Sequence, residues 1–241
     1  MKNQLKNKTI WITGASRGIG LAIAKSFKNS EANLALSSIR KTTPEIVSSE
    51  FKDYSNIIFL PCDISSEKEV YKVHEKINST FGKVDILINN AGVTKFDSFY
   101  SSTIEDFDKI IGVNLRGTFN CTKAVLENML KKNNGIILNI ISVAAIKIFK
   151  NSALYAASKA GVLAMSRVLR EEVRKNGIKV IDILPVATET EIWSQDALDK
   201  YAEKMMKPGD VASVVYDAII QCLNGRLMIE EIILRPQDGD L

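Results

Sequence analysis

Tyr155 and Lys159 stand four residues apart in Ser152-Ala-Leu-Tyr-Ala-Ala-Ser-Lys-Ala160, a segment of helical composition. At helical spacing the two side chains share a face about one turn apart, so an ammonium can act on a phenol. An isolated tyrosine has a pKa of about 10, and a cation within ~4–6 Å favours its phenolate. Such a pair can pass a proton to or from a substrate oxygen. A chain with 6 tyrosines and 32 lysines and arginines can also produce this spacing by chance. The elements that would position the pair therefore decide its meaning.

The chain of 241 residues, 46% hydrophobic and 25% charged, is long enough to bury a full core and reads as one globular domain over residues 1–241. Its net charge of +4 is spread along the sequence, which speaks against nucleic acid as a partner and leaves small anionic ligands open. Cys62, Cys121 and Cys222 lie far apart without metal-like spacing and read as reduced, buried thiols. The polar start Met1–Lys8 runs directly into an apolar stretch, unlike a signal peptide, and no apolar run approaches the ~18 residues of a membrane span. These features predict a cytoplasmic protein. The single histidine, His74, lies between Lys72 and Glu75 and reads as part of a solvated helix face, so neither a histidine-based triad nor a metal site is expected.

Short β-branched runs at Thr9–Thr13, Leu34–Ser38, Ile57–Leu60, Val84–Asn89, Ile136–Ser142, Val180–Leu184 and Met228–Leu234 read as strands, with segments of helical length between them. Near-continuous apolar strands suit a sheet covered on both faces. The pattern predicts a doubly wound α/β domain: a mostly parallel seven-stranded sheet with helices on both faces. After the first strand, Thr13-Gly-Ala-Ser-Arg-Gly-Ile-Gly20 leads into a helical segment. Glycines 14, 18 and 20 permit a tight turn that brings backbone N–H groups and a helix N-terminus close to a pyrophosphate.

These motifs, taken in order, resemble those of the short-chain dehydrogenase/reductase superfamily. Thr13–Gly20 is similar to its cofactor loop, and Asn89-Asn90-Ala91-Gly92 to the motif after its fourth strand. Asn114 matches its helical asparagine, Ser142 its serine after the fifth strand, Tyr155 and Lys159 its Tyr-x-x-x-Lys, and Asp63 its aspartate after the third strand. The resemblance implies a Rossmann-type fold with Asn114, Ser142, Tyr155 and Lys159 as the catalytic set. It implies a nicotinamide dinucleotide held by Gly14, Ser16, Arg17, Gly18, Ile19 and Gly20, by Arg40, Asp63 and Ile64, by Asn90, Ala91 and Gly92, and by Tyr155, Lys159, Pro185, Thr188 and Thr190. Asp63 has two open readings, a contact to the adenine amino group and a turn carboxylate before a helix near Ser66. Asn89 and Asn90 read as amides tying loops together. Asn114, with apolar neighbours, reads as a buried amide that needs partners.

Where an acid would bind the ribose 2′-hydroxyl of NAD, the second strand ends Leu36-Ser-Ser-Ile-Arg40-Lys41. Arg40, with Arg17 as a second guanidinium, favours NADP(H) over NAD(H). In Pro185-Val-Ala-Thr-Glu-Thr190 the family's usual glycine is replaced by Val186, which puts the usual loop path in question. Thr190 fits the threonine that touches the nicotinamide carboxamide, ahead of Thr188. Residues 186–208 read as a substrate lid, with Trp193 either a substrate contact or ordinary helix packing.

The expected reaction is hydride transfer between NADP(H) and a carbonyl or secondary alcohol of a small molecule. The alternative is a 3-oxoacyl-[acyl-carrier-protein] reductase, although its two docking arginines align with Asn133 and Asn176, beside Lys132 and Lys175, and the ending Ile229–Leu241 lacks a Gly-Gly tail. A non-catalytic NADP-binding regulator is the alternative of another class, and the presence of both Tyr155 and Lys159 argues against it. The resemblance also implies a homodimer or homotetramer, with Ala156, Ala157, Ala160, Gly161 and Ala164 small enough for close packing of the catalytic helix.

Overall fold

Gly135-Ile-Ile-Leu-Asn-Ile140 is buried along its whole length, as a strand covered on both faces must be. It forms β5 in the computed structural model, which describes residues 4–223 and 225–239. The other strands are β1 (Thr9–Thr13), β2 (Asn33–Ser38), β3 (Ile57–Pro61), β4 (Ile86–Asn89), β6 (Ile178–Pro185) and β7 (Glu231–Leu234). Their order is β3-β2-β1-β4-β5-β6-β7. Every neighbouring pair is parallel, so the sheet expected to be mostly parallel is wholly so. Met1–Asn3, Asn224, Asp240 and Leu241 lie outside the described residues, and with them part of the polar start and of the tail.

The helices are α1 (Gly18–Phe27), α2 (Glu45–Phe51), α3 (Glu67–Phe81), α4 (Ile104–Ile111), α5 (Gly117–Lys132), α6 (Ala153–Val173), α7 (Gln195–Tyr201) and α8 (Pro208–Leu223). Strand alternation divides the core between two layers. Ile86 and Ile88 face the layer of α1, α2 and α8, in which Phe27, Val47 and Val215 are buried. Leu87 faces the layer of α3 and α5, with Trp11, Val73 and Val125. The strand order reverses between β1 and β4, and the carboxyl ends there open a crevice where α/β sheets bind ligands.

Several boundaries shift. β4 begins at Ile86, two residues after the expected start, and β7 shrinks to four residues. β5 ends at Ile140, because the chain turns at Ser142, whose hydroxyl accepts the Ala144 N–H at 3.1 Å. No helix among the described residues is long and apolar enough to cross a membrane.

His74 does not lie on a solvated face. It is 6% exposed, with its ring 6.4 Å from that of Trp11 and nearly parallel to it. The reason is helical phase: Val70, Val73, His74 and Ile77 form one buried stripe of α3, and the charges flanking His74 in sequence point elsewhere. Cys62, Cys121 and Cys222 are free and buried, as the sequence suggested.

Candidate active site

The loop after β1 is built around close approach. Gly14 has φ +65°, and a β-carbon there would stand 2.7 Å from Ala91 Cα. At Gly20 a β-carbon would overlap the Asn90 amide and the Gly14 carbonyl. Asn90 is the tie: its Nδ2 donates to the carbonyls of Thr13 (3.0 Å) and Gly14 (3.2 Å), while the Thr13 hydroxyl accepts the N–H groups of Asn90 and Ala91. The N-terminus of α1 follows, with Arg17 at its N-cap position making no side-chain hydrogen bond and no acid in the first turn. Its unpaired N–H groups and positive dipole end suit an anion.

A cleft of about 680 Å3 opens beside this terminus, lined by Ser16, Arg17, Gly18, Lys25, Arg40 and Thr190 among others. Arg17 and Arg40 are both exposed, so their guanidinium groups need little desolvation to take a phosphate. The crowded glycine cradle, the uncapped helix and the cationic cleft together fit the pyrophosphate of a nicotinamide dinucleotide. Ser16 is buried and Ile19 packs on the core beneath the loop. Asp63 Oδ1 accepts from both the backbone N–H and the hydroxyl of Ser65, which makes Asp63 a turn carboxylate, and Ser66 is the cap of α3. Ile64 is buried, and its carbonyl accepts from Asn120.

Tyr155 lies in the first turn of α6, with its phenol beside the Ser142 hydroxyl. Burial pushes this phenol up from its ordinary value, opposed by the neighbouring Ser142 hydroxyl. Lys159, on the next turn, is 6% exposed and donates to the Ile140 carbonyl at 3.0 Å. Its Nζ lies 5.7 Å from the Tyr155 ring centroid, and burial lowers its pKa to about 8. Desolvation therefore acts on both groups, raising the phenol and lowering the amine. A β-carbon at Gly92 would sit 3.5 Å from Lys159 Nζ and 3.4 Å from Asn114 Oδ1, so the Asn89–Gly92 turn passes directly over the pair.

Asn114 occupies a π-helical turn, Gly112–Arg116, between α4 and α5, where a regular helix was expected. Such turns recur at functional sites. Its buried carboxamide is satisfied: Oδ1 accepts the Val93 N–H at 2.8 Å, and Nδ2 donates to the Val93 carbonyl and to Ser158 Oγ, both at 2.9 Å. Ser158, which sequence reasoning passed over inside its own motif, donates to the Tyr155 carbonyl at 2.7 Å.

Val186 does not disturb the loop after β6. Its φ is negative, so no glycine conformation is required, and its N–H donates to Leu234 O at 3.0 Å, continuing the ladder beyond Pro185. Thr188 is buried with its hydroxyl on Val186 O. Thr190 lies against the glycine loop, where a β-carbon at Gly18 would meet its methyl at 3.2 Å. The base of the 186–208 segment is closed by a Thr188–Met206 bridge and a Glu189–Lys207 ion pair. Trp193 sits in the turn before α7 and stacks on Phe96, centroids 5.2 Å apart. Phe96 in turn meets the Tyr155 ring edge-on at 6.2 Å. An isolated aromatic in a loop carries no spacing signal, and Phe96 is visible only once the fold brings its neighbours together.

Asn133 and Asn176 lie before β5 and β6, at the end of the sheet away from Tyr155, with their side chains 3.4 Å apart. On α6, Ala157, Ala160 and Ala164 are exposed, while Ala156 and Gly161 are partly covered. Among the described residues no cluster of histidine, cysteine, aspartate and glutamate could hold a metal ion.

The family model for short chain dehydrogenase matches residues 8–200. The chain is 37% identical to a sepiapterin reductase of Chlorobaculum tepidum, over 95% of this chain and 96% of that protein. It is 32% identical to an uncharacterized oxidoreductase of Staphylococcus saprophyticus, over 97% of this chain and 99% of that one. Among solved structures it is similar to ElxO with NADP bound, at 28% identity and a TM-score of 0.85, covering 95% of this chain and 96% of that one. With the uncapped α1 terminus and glycine cradle in one crevice and Tyr155, Ser142 and Lys159 beside it, these similarities agree with the geometry: the chain belongs to the short-chain dehydrogenase family and is a nicotinamide-dependent oxidoreductase.

Proposed function

We propose that this protein is an NADP(H)-dependent reductase of small-molecule carbonyl groups. The observation that carries the reading is the convergence of Tyr155, the Ser142 hydroxyl beside it and the buried Lys159 one turn along α6, with the glycine cradle alongside. A nicotinamide dinucleotide held by the glycine loop would supply the hydride that reaches the carbonyl carbon. Tyr155, kept protonated by burial, gives its proton to the carbonyl oxygen as negative charge develops there. Ser142 donates a second hydrogen bond to that oxygen. Lys159 holds the ribose and, in its cationic form, stabilises the phenolate left behind. Asn114 braces the Val93 backbone and, through Ser158, the first turn of α6.

Arg17 and Arg40 support the preference for the 2′-phosphorylated cofactor, since they line the cleft where an acid would select NAD. Thr190 is the threonine that meets the nicotinamide end, and residues 186–208 form the substrate lid. The exposed alanines of α6, with Val168 beyond them, support pairing of that helix with its copy in a dimer or tetramer. An acyl-carrier-protein substrate finds less support, because the positions of its docking arginines are asparagines remote from Tyr155.

For substrate class, the Tyr155–Phe96–Trp193 aromatic series favours a carbonyl on a flat aromatic or heteroaromatic body, and the relative named sepiapterin reductase makes sepiapterin the first compound to try. The test is NADPH oxidation against sepiapterin, aromatic and aliphatic ketones and 3-oxoacyl thioesters, with Tyr155→Phe run in parallel. Loss of general acid catalysis lowers kcat by ~10²–10⁴-fold with NADPH binding retained. Turnover of no carbonyl, or an unimpaired Tyr155→Phe, would overturn the reading.

A further inference from the structure

One row below the active site, a line of polar side chains crosses the sheet in strict register. Asn89 on β4 pairs with Asn139 on β5, Asn139 with Asp182 on β6, and Asp182 with Glu231 on β7. The side chains are joined: Asn89 Nδ2 donates to Asn139 Oδ1, and Asn139 Nδ2 to Asp182 Oδ1, both at 2.9 Å. Asp182 is fully buried and also takes hydrogen bonds from two residues of the catalytic helix α6, Ser166 at 2.6 Å and Arg170 at 2.6 Å. Arg170, itself 4% exposed, donates to Val180 O as well. Burial pushes the Asp182 carboxyl up, and the Ser166, Asn139 and Arg170 contacts oppose this.

A buried ion pair is a poor way to add stability, because desolvating both groups offsets their attraction, and an apolar pair of similar volume is often as stable. Asn89 Oδ1, buried with no protein donor among the described residues, also marks a network not built for stability alone. What the network does possess is direction. Ser166 and Arg170 follow Lys159 by seven and eleven residues and share its sheet-facing side of α6. Ile140, the residue after Asn139, carries the carbonyl that Lys159 holds, and Asn90, the residue after Asn89, carries the amide that ties the glycine loop. Val162, Leu163 and Val173 already pack α6 on the sheet through apolar contacts, which carry no direction, and the charged, directional contact singles out one register.

We propose that Asp182 is a positioning residue: through Ser166 and Arg170 it fixes the register of α6 on the sheet and so sets where Lys159 and Tyr155 stand. The proposal rests on the reductase reading for its catalytic consequence. The informative variant is the double substitution Asp182→Leu/Arg170→Met, which removes both charges together and keeps Ser166 as an acceptor for Asn139. Asp182→Asn, which keeps the shape and most hydrogen bonds, is the second variant. Val215→Ala in the opposite layer controls for a general loss of stability.

Each protein is assayed at a temperature where circular dichroism shows it folded. The double variant is expected to lower kcat about tenfold, since small displacements of catalytic groups are costly. It should also shift the alkaline limb of the pH profile and weaken NADPH binding, measured by cofactor fluorescence, about threefold. Val215→Ala is expected to lower Tm and leave all three unchanged. Kinetics, pH profile and NADPH affinity of the double variant all within twofold of the parent would overturn the proposal, whatever its Tm. If the parent turns over no carbonyl, the reductase reading fails, and the NADPH titration alone decides whether Asp182 positions α6.

Discussion

Lys159 Nζ donates to the Ile140 carbonyl at 3.0 Å, which places a buried cation at the junction of the sheet and the catalytic helix. Because burial brings its pKa down to about 8, Lys159 is cationic below that pH and neutral above it. A lysine whose charge assists ribose binding and stabilises the Tyr155 phenolate therefore gives kcat/KM for carbonyl reduction a fall on the alkaline side near pH 8. Lys159→Arg, which cannot lose its proton in this range, should remove that limb even if its activity is low. A profile for the parent that is flat to pH 10 would exclude this role.

The proposed preference for NADP(H) rests on Arg40. A guanidinium–phosphate hydrogen bond contributes about 1.5–3 kcal/mol. Arg40→Ala should therefore raise KM for NADPH by roughly 10–100-fold and leave KM for NADH nearly unchanged. Equal effects on the two cofactors would assign Arg40 to the surface.

Phe96 lies between the Tyr155 and Trp193 rings. Aromatic pairs contribute about 0.5–1.5 kcal/mol beyond the area they bury. Phe96→Leu should accordingly raise KM for aromatic carbonyl substrates several-fold while leaving aliphatic ones little changed. Uniform loss on both classes would indicate that the ring only supports the loop.

His74 provides a stability test remote from the chemistry. Burial lowers its pKa, with Lys83 contributing in the same direction. The folded state thus resists a proton that the unfolded chain accepts below its ordinary value of about 6.5. As pH falls from there toward the lowered value, the unfolded state gains protons first and stability declines. His74→Phe, which preserves stacking on Trp11, should lose less Tm than the parent between pH 7 and pH 5. Parallel Tm curves would show that the ring does not titrate differently on folding.

The linear chain by itself determined the alternation of strand and helix, the glycine turn after β1 and the spacing of Tyr155 and Lys159, because each depends on residues near in sequence. Period-2 and period-3.6 patterns and a Tyr–Lys pair at four residues are local quantities. It also put the loop path at Val186 in question, which only the backbone answers: a negative φ and a bond to Leu234 make a glycine unnecessary there. The side on which His74 falls needed the phase of α3 against Trp11. Only the tertiary structure brought Phe96 to Tyr155, Ser158 to Asn114, and Asp182 to Arg170. These contacts join residues from different elements, and their energies come from burial and pairing, which exist only once the sheet has set its register. Desolvation decided the electrostatics as well. The spacing of Tyr155 and Lys159 implied a lowered phenol, but enclosure by the folded chain raises the phenol and lowers the amine.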